Sequence, residues 1–238
     1  MAFSSLAGNP AETSQRGELD YWQHNSQSWN LKMQYYRQVF PFESIDYTRE
    51  ILDIGSGPRS VFEDVAPQHA KVIPSDTLAD EYNLLVPDKR FRVIANIPDR
   101  RFGLITMFNM IDHMNKPDEL LAQVAQHLEG RGELGLYVHL DRPFDANLHP
   151  QCFRFWEVAP LMQKFFTIKT CGLCNEVPFV NVNGFWCICT AKGKDRPSAW
   201  WSAKIGILYS RNFLRRALLA IKRRLIQRSK QGAVGSHR

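Results

Sequence analysis

The chain carries seven histidines, and three of them stand where an αβ protein does its chemistry. His113 lies just beyond the apolar run that ends at Asn109, His139 near the end of the run from Glu133 to Leu140, and His149 in the turn-rich segment Asp141–Pro150 after it. An imidazole titrates near neutrality, so it can take a proton from a reacting group. In an open αβ sheet the ligand crevice lies outside the carboxyl ends of the strands, where these three histidines are expected. His113 and His149 are the preferred bases, with His139 behind them as a ring that packing alone can explain. Two acids form a second set. Asp53 sits in Ile51-Leu52-Asp53-Ile54, directly before Gly55-Ser56-Gly57, and Asp76 closes Lys71-Val72-Ile73-Pro74-Ser75-Asp76. The glycines let backbone approach a ligand closely. An acid about 20 residues further on is spaced as αβ nucleotide sites place a carboxylate on ribose hydroxyls.

Alternating strand and helix signals must position these groups. Ser60 and Glu63 read as a capping box opening a short helix over residues 61–65, whose first turn would offer free N–H groups. Phe91–Ile97 reads as a third strand and Phe102–Asn109 as a fourth of buried type. Asn115 reads as the cap of a helix with Pro117, Asp118 and Glu119 in its first turn and Gly130 at its end. Glu133–Leu140 is the fifth strand; Phe165–Cys171 and Gly184–Cys189 are the last two. Upstream, aromatic residues recur at helical spacing from Glu18 to Phe42, which fits a packing helix or a cover over the ligand.

The acid ahead of Gly55 and Gly57 is foreign to dinucleotide dehydrogenases, whose third motif glycine is replaced here by Ser60. Asp53-x-Gly55-x-Gly57 instead resembles the first motif of class I S-adenosylmethionine (SAM) methyltransferases. The succession Phe102-Gly103-Leu104-Ile105, Asn109-x-x-Asp112-His113, Pro117-Asp118-Glu119-Leu120-Leu121 and Leu128-Glu129-Gly130-x-Gly132-Glu133-Leu134 resembles the type 11 methyltransferases. That resemblance covers residues 45–140 well and the rest loosely. It implies an α/β three-layer αβα sandwich with a Rossmann-like, seven-stranded, mostly parallel sheet and an antiparallel last strand. It implies SAM as cofactor, held by Asp53, Gly55, Ser56, Gly57, Asp76, Thr77, Leu78, Ala95 and Asn109. It also implies a methyltransferase domain over residues 45–194 and a helical lid over residues 1–44, with Tyr21 and Trp22 above the pocket. The expected catalytic residues are His113, His149 and Asn109. Amine methyltransferases often carry Pro-Pro after the residue that Asn109 matches; Met110-Ile111 stands here, which favours an oxygen acceptor. The acceptor is expected to be a small molecule or a surface-glycan precursor.

The net charge of +6 conceals an asymmetry. From Asp195 onward eleven Lys and Arg face that single acid, so this segment carries +10 and the rest −4. Leu214, Leu218, Ile221 and Leu225 would form one face of a helix flanked by cations, with Trp200 and Trp201 upstream. Residues 195–238 therefore read as a basic amphipathic extension, with residues 200–230 suited to an anionic membrane surface. Nucleic acid is a weaker partner, since basic helices also neutralise phosphates but no RNA-binding module accompanies this one. No run of about 20 apolar residues spans a bilayer, and the N-terminus lacks a signal-peptide pattern. Five cysteines, an odd number, fit a reduced cytoplasmic protein. Cys171, Cys174, Cys187 and Cys189 match no common zinc spacing and read as buried packing residues, so no metal is expected. A protein at the inner membrane face, an RNA methyltransferase and a non-catalytic SAM-binding scaffold are the functional readings this leaves.

Overall fold

The computed structural model describes residues 12–140, 149–174 and 183–192. The chain divides into a unit Met1–Arg196 and a unit Pro197–Arg238. The second unit lies outside the described residues, and with it Trp200, Trp201 and the expected basic helix. So do residues 1–11 of the lead-in and residues 141–148 of the segment before His149.

Six strands form one sheet in the order β2-β1-β3-β4-β6-β5. They are β1 (Ile51–Ile54), β2 (Val72–Ser75), β3 (Phe102–Phe108), β4 (Leu128–Leu140), β5 (Phe166–Cys174) and β6 (Asn183–Ala191). β1 to β4 run parallel, while β6 is antiparallel to both β4 and β5. All seven residues of β3 are buried, as a strand covered on both faces requires. Among the described residues five α-helices complete the sandwich: α1 (Glu12–His24), α2 (Ser26–Val39), α3 (Ala79–Leu85), α4 (Pro117–His127) and α5 (Phe155–Phe165). α1 touches α3, and α4 packs on α5 and β4 with Leu120, Leu121 and Val124 buried along its apolar stripe.

The expected α/β sandwich with an antiparallel last strand is the observed one, with six strands rather than seven. The difference lies at Phe91–Ile97, which meets β2 only through a single bridge from Ile94 to Ser75. Ile94 N–H donates to the Pro74 carbonyl and its carbonyl accepts from Asp76 N–H, both at 3.0 Å. Continuing the ladder one way would need an N–H from Pro74, which has none. Continuing it the other way would need Leu78 N–H, which instead donates to Asp76 Oδ1 at 3.1 Å.

Two more expectations shift. Residues 61–65 form turns rather than a helix. Ser60 Oγ donates to Asp53 Oδ2 at 2.7 Å and still accepts Phe62 N–H at 3.2 Å, so the half of the capping box that is missing is the Glu63 half. The Glu63 carboxylate accepts Arg90 and Phe91 N–H at 2.9 and 3.1 Å, so it does not reach back to Ser60. The N-terminal aromatic stretch is two helices, broken at Asn25, whose side-chain amide donates to the Tyr21 carbonyl at 2.9 Å. Such local side-chain bonds compete with helix continuation. Downstream, α4 starts at Pro117 after Lys116, with no side-chain cap, and β4 begins directly at Leu128, before Gly130.

An aromatic cluster fastens α2 to the sheet. Tyr36 lies edge-on to Phe108 and Tyr137 at 5.2 and 5.0 Å, and Phe40 edge-on to Phe108 at 4.9 Å. Tyr137 Oη donates to Tyr35 Oη at 3.3 Å, which satisfies a phenol inside this packing.

Candidate active site

The glycine turn after β1 is built from its acids outward. Asp53 is 1 % exposed. Its two oxygens accept Ser60 Oγ–H and Thr106 Oγ1–H, each at 2.7 Å, which ties β1 to the turn and to β3. Asp76 follows β2 and accepts Gly57 N–H on one oxygen and Leu78 N–H on the other, both at 3.1 Å. Burial pushes both carboxyls up to about 6, against the pull of these hydrogen bonds. Gly55 and Gly57 adopt φ of +68° and +65°, a region where a side chain is strained. A Cβ at Gly55 would also overlap the Met110 side chain. Asn109, at φ +52°, is the one non-glycine residue with positive φ among the described residues. Its N–H donates to the Tyr137 carbonyl at 2.7 Å, which holds it in this conformation beside the turn.

These groups face a cavity of about 490 Å³, of a size that takes a small ligand. Its floor comes from the ends of β1, β2 and β3, and Leu78 and Tyr82 flank one side. α1 and α2 cover it with Glu18, Trp22, Trp29 and Lys32. Trp22 donates to Glu18 at 2.9 Å, lies edge-on to Trp29 at 5.6 Å, and carries the Lys32 ammonium over its ring at 4.3 Å.

An imidazole–carboxylate cluster adjoins the cavity at His113. A 3-10 turn over Ile111–His113 follows β3 and points His113 into the cavity wall. Gln151 N–H donates to the Asp112 carbonyl at 3.2 Å and draws the segment carrying His149 onto this turn. The His113 and His149 rings lie 4.3 Å apart, and His149 Nδ1 stands 3.1 Å from Asp112 Oδ2. Burial alone would push the Asp112 carboxyl up; the His149, His113 and His139 rings together outweigh it and hold the group at about 2.

Asp53, Gly55, Ser56, Gly57, Asp76, Thr77, Leu78, Ala95, Asn109 and His113 all line this one cavity. His149 is buried behind His113 rather than on the wall. His139 is buried edge-on to Tyr137 at 5.5 Å. Tyr21 is 40 % exposed and outside the lining, unlike Trp22. Cys187 and Cys189 are buried side by side on β6, with their sulfurs 3.5 Å apart. The sequence reading missed Asp112 as a chemical group, although it adjoins His113. It also missed Trp29 and Lys32, whose helical spacing from Trp22 was the available signal.

A family model described as a methyltransferase domain matches residues 22–170. The chain belongs to that family; fold, site and family define a SAM-dependent methyltransferase. No curated protein matches the chain by sequence. Among solved structures, it is similar to the N-methyltransferase NodS from Bradyrhizobium japonicum, crystallised with S-adenosylhomocysteine (SAH). The identity is 12 % and the TM-score 0.59, over 76 % of this chain and 99 % of that one. It is similar also to 1,6-didemethyltoxoflavin-N1-methyltransferase from Burkholderia thailandensis, with 16 % identity, TM-score 0.58 and coverage of 78 % and 92 %. The mitomycin 7-O-methyltransferase MmcR shares 14 % identity at TM-score 0.53, over 72 % of this chain and 57 % of that one.

Proposed function

We propose that this methyltransferase transfers the SAM methyl group to a hydroxyl of a small molecule or surface-glycan precursor. The observation that carries the reading is that one cavity is lined by the glycine turn, by both carboxylates and by His113. Asp76 would accept hydrogen bonds from the cofactor's ribose hydroxyls, Thr77, Leu78 and Ala95 would border adenine, and Gly55, Ser56 and Gly57 would bring backbone against the rest. Asp53 braces the turn and adds negative charge facing a cationic ligand. Asn109 would hold the edge shared by cofactor and acceptor. The cluster of Asp112, His113 and His149 would prepare the acceptor, since a hydroxyl of high pKa must lose its proton during transfer. α1 and α2 would form the lid that excludes water.

The similar structures include both N-methyltransferases and an O-methyltransferase. Support for oxygen here comes from the imidazole cluster and from Met110-Ile111 in place of the amine enzymes' Pro-Pro. Calorimetric titration with SAH and, separately, NAD tests the cofactor site: SAH alone is expected to bind, and at least tenfold more weakly to Asp76→Ala. Binding of neither ligand would sink the assignment, while SAH binding with no turnover across a hydroxyl-acceptor screen would favour the scaffold reading.

No helix among the described residues is long and apolar enough to cross a membrane. The charge of the tail favours a cytoplasmic protein docked on the inner membrane face through residues 200–230. Co-sedimentation of the full chain with anionic but not neutral vesicles is expected. A salt-steep affinity for RNA without vesicle binding would instead mark an RNA methyltransferase.

A further inference from the structure

We propose that Asp112, His113 and His149 hold a divalent transition-metal ion at the acceptor end of the cavity, where it takes the acceptor's hydroxyl oxygen as a further ligand. The inference rests on the methyltransferase reading above and assigns the chemistry of its acceptor side. Each of the three residues offers one donor atom, and all three atoms lie within 4.8 Å of one another. It is the one such group among the described residues.

The second observation is that the buried atoms lack the hydrogen bonds such a place demands. The Asp112 side chain is 1 % exposed, yet neither of its oxygens has a hydrogen-bond partner among the described residues. His149, 7 % exposed at its side chain, leaves Nδ1 in the same state. The two are 3.1 Å apart without the alignment of a hydrogen bond. An Asp–His base pair would align the ring N–H on the carboxylate. Donors aimed at a common ion have no reason to align on each other. Two donors each about 2.1 Å from an ion, at octahedral or tetrahedral angles, lie roughly 3.0–3.4 Å apart. The observed separation fits. A buried carboxylate whose one close partner, His149 Nδ1 at 3.1 Å, is out of hydrogen-bond alignment is poorly compensated for its lost hydration, and a cation between the two would supply that compensation.

Two imidazoles with one carboxylate suit ions of the manganese-to-zinc series better than calcium or magnesium, which take oxygen ligands. His113 is the half-buried member on the cavity wall, so the open coordination positions face the acceptor. An ion there lowers the pKa of a bound hydroxyl. The hydroxyl proton leaves to solvent. An oxygen lone pair forms the new O–C bond as the C–S bond breaks and its electron pair stays on sulfur, giving a methyl ether and SAH.

The test uses the untagged full chain, stripped with chelator and dialysed against Co²⁺ or Mn²⁺, with bound metal counted by elemental analysis. One ion per chain is expected in wild type and none in Asp112→Ala or His149→Ala, with SAH affinity of both variants within about threefold of wild type. The wild-type Co²⁺ spectrum should show nitrogen and oxygen ligation without a thiolate charge-transfer band, a readout that needs no variant. No ion in wild type, full loading of the variants, or a thiolate band would each overturn the proposal. Loss of wild-type SAH binding would be a separate failure, of the methyltransferase reading itself.

Discussion

Asp76 accepts two backbone N–H bonds and still has lone pairs to offer, since a carboxylate has about four acceptor positions. To receive ribose hydroxyl protons it must be ionised. Its pKa of about 6 lies above the ordinary 3.8, so the proton is held in the empty site until pH rises through 6. SAH affinity should therefore weaken as pH falls below 6, by about tenfold per unit for a single proton. Calorimetry in buffers of different ionisation heat should show proton release on binding near pH 6, with the slope flattened in Asp76→Ala. A neighbouring prediction concerns backbone: Gly55→Ala forces a side chain into positive φ against Met110, and should lower stability by about 1–3 kcal/mol in thermal melts. Residues such as Asp53, Gly55 and Asp76 were legible because their constraints are local: a turn needing glycine, an acid ending a strand. Asp112 was not, because its significance comes from His149, brought to it by a long-range backbone bond from Gln151.

Elements were legible where one pattern went uncontested. β3 and α4 follow from an apolar run and an amphipathic stripe. Ser60 and Glu63 carry a sound helix-start signal, and Ser60 Oγ does accept Phe62 N–H, but the Glu63 carboxylate is taken by the distant backbone of Arg90 and Phe91, and the helix gives way to turns. At Phe91–Ile97 the strand signal was met by a neighbour, Pro74, with no donor to give. Such outcomes depend on which residue lies across the gap, which spacing along the chain does not encode. α2 is bound mainly by its aromatic face. Phe40→Ala should cost about 3–5 kcal/mol in denaturant unfolding, because Phe40 is 2 % exposed among Phe42, Phe108 and Trp186. Trp22→Ala should act differently: loss of SAH affinity severalfold with a smaller loss of stability, since its ring borders the cavity.

At the scale of the molecule, binding to the folded state alone stabilises it by mass action. SAH at a hundred times its Kd should add about 2.7 kcal/mol, a rise in Tm of roughly 5–10 °C for a domain of this size. Asp76→Ala should lose most of that shift at the same SAH concentration. The sandwich itself was readable because parallel strands buried on both faces must alternate with helices that cover them. The segregation of charge into residues 195–238 was equally readable, being a property of composition alone.

Trp22 and Trp29 stand 5.6 Å apart at 62° over the cavity, with a lysine ammonium against one ring. Two indoles at that separation are coupled chromophores, and a nearby cation perturbs their excited state. The enzyme thus carries a built-in optical probe at the mouth of its own cavity. Stopped-flow tryptophan emission, with the Trp22→Phe and Trp29→Phe chains as controls, would time the arrival of the ligand and the settling of the cover without any label.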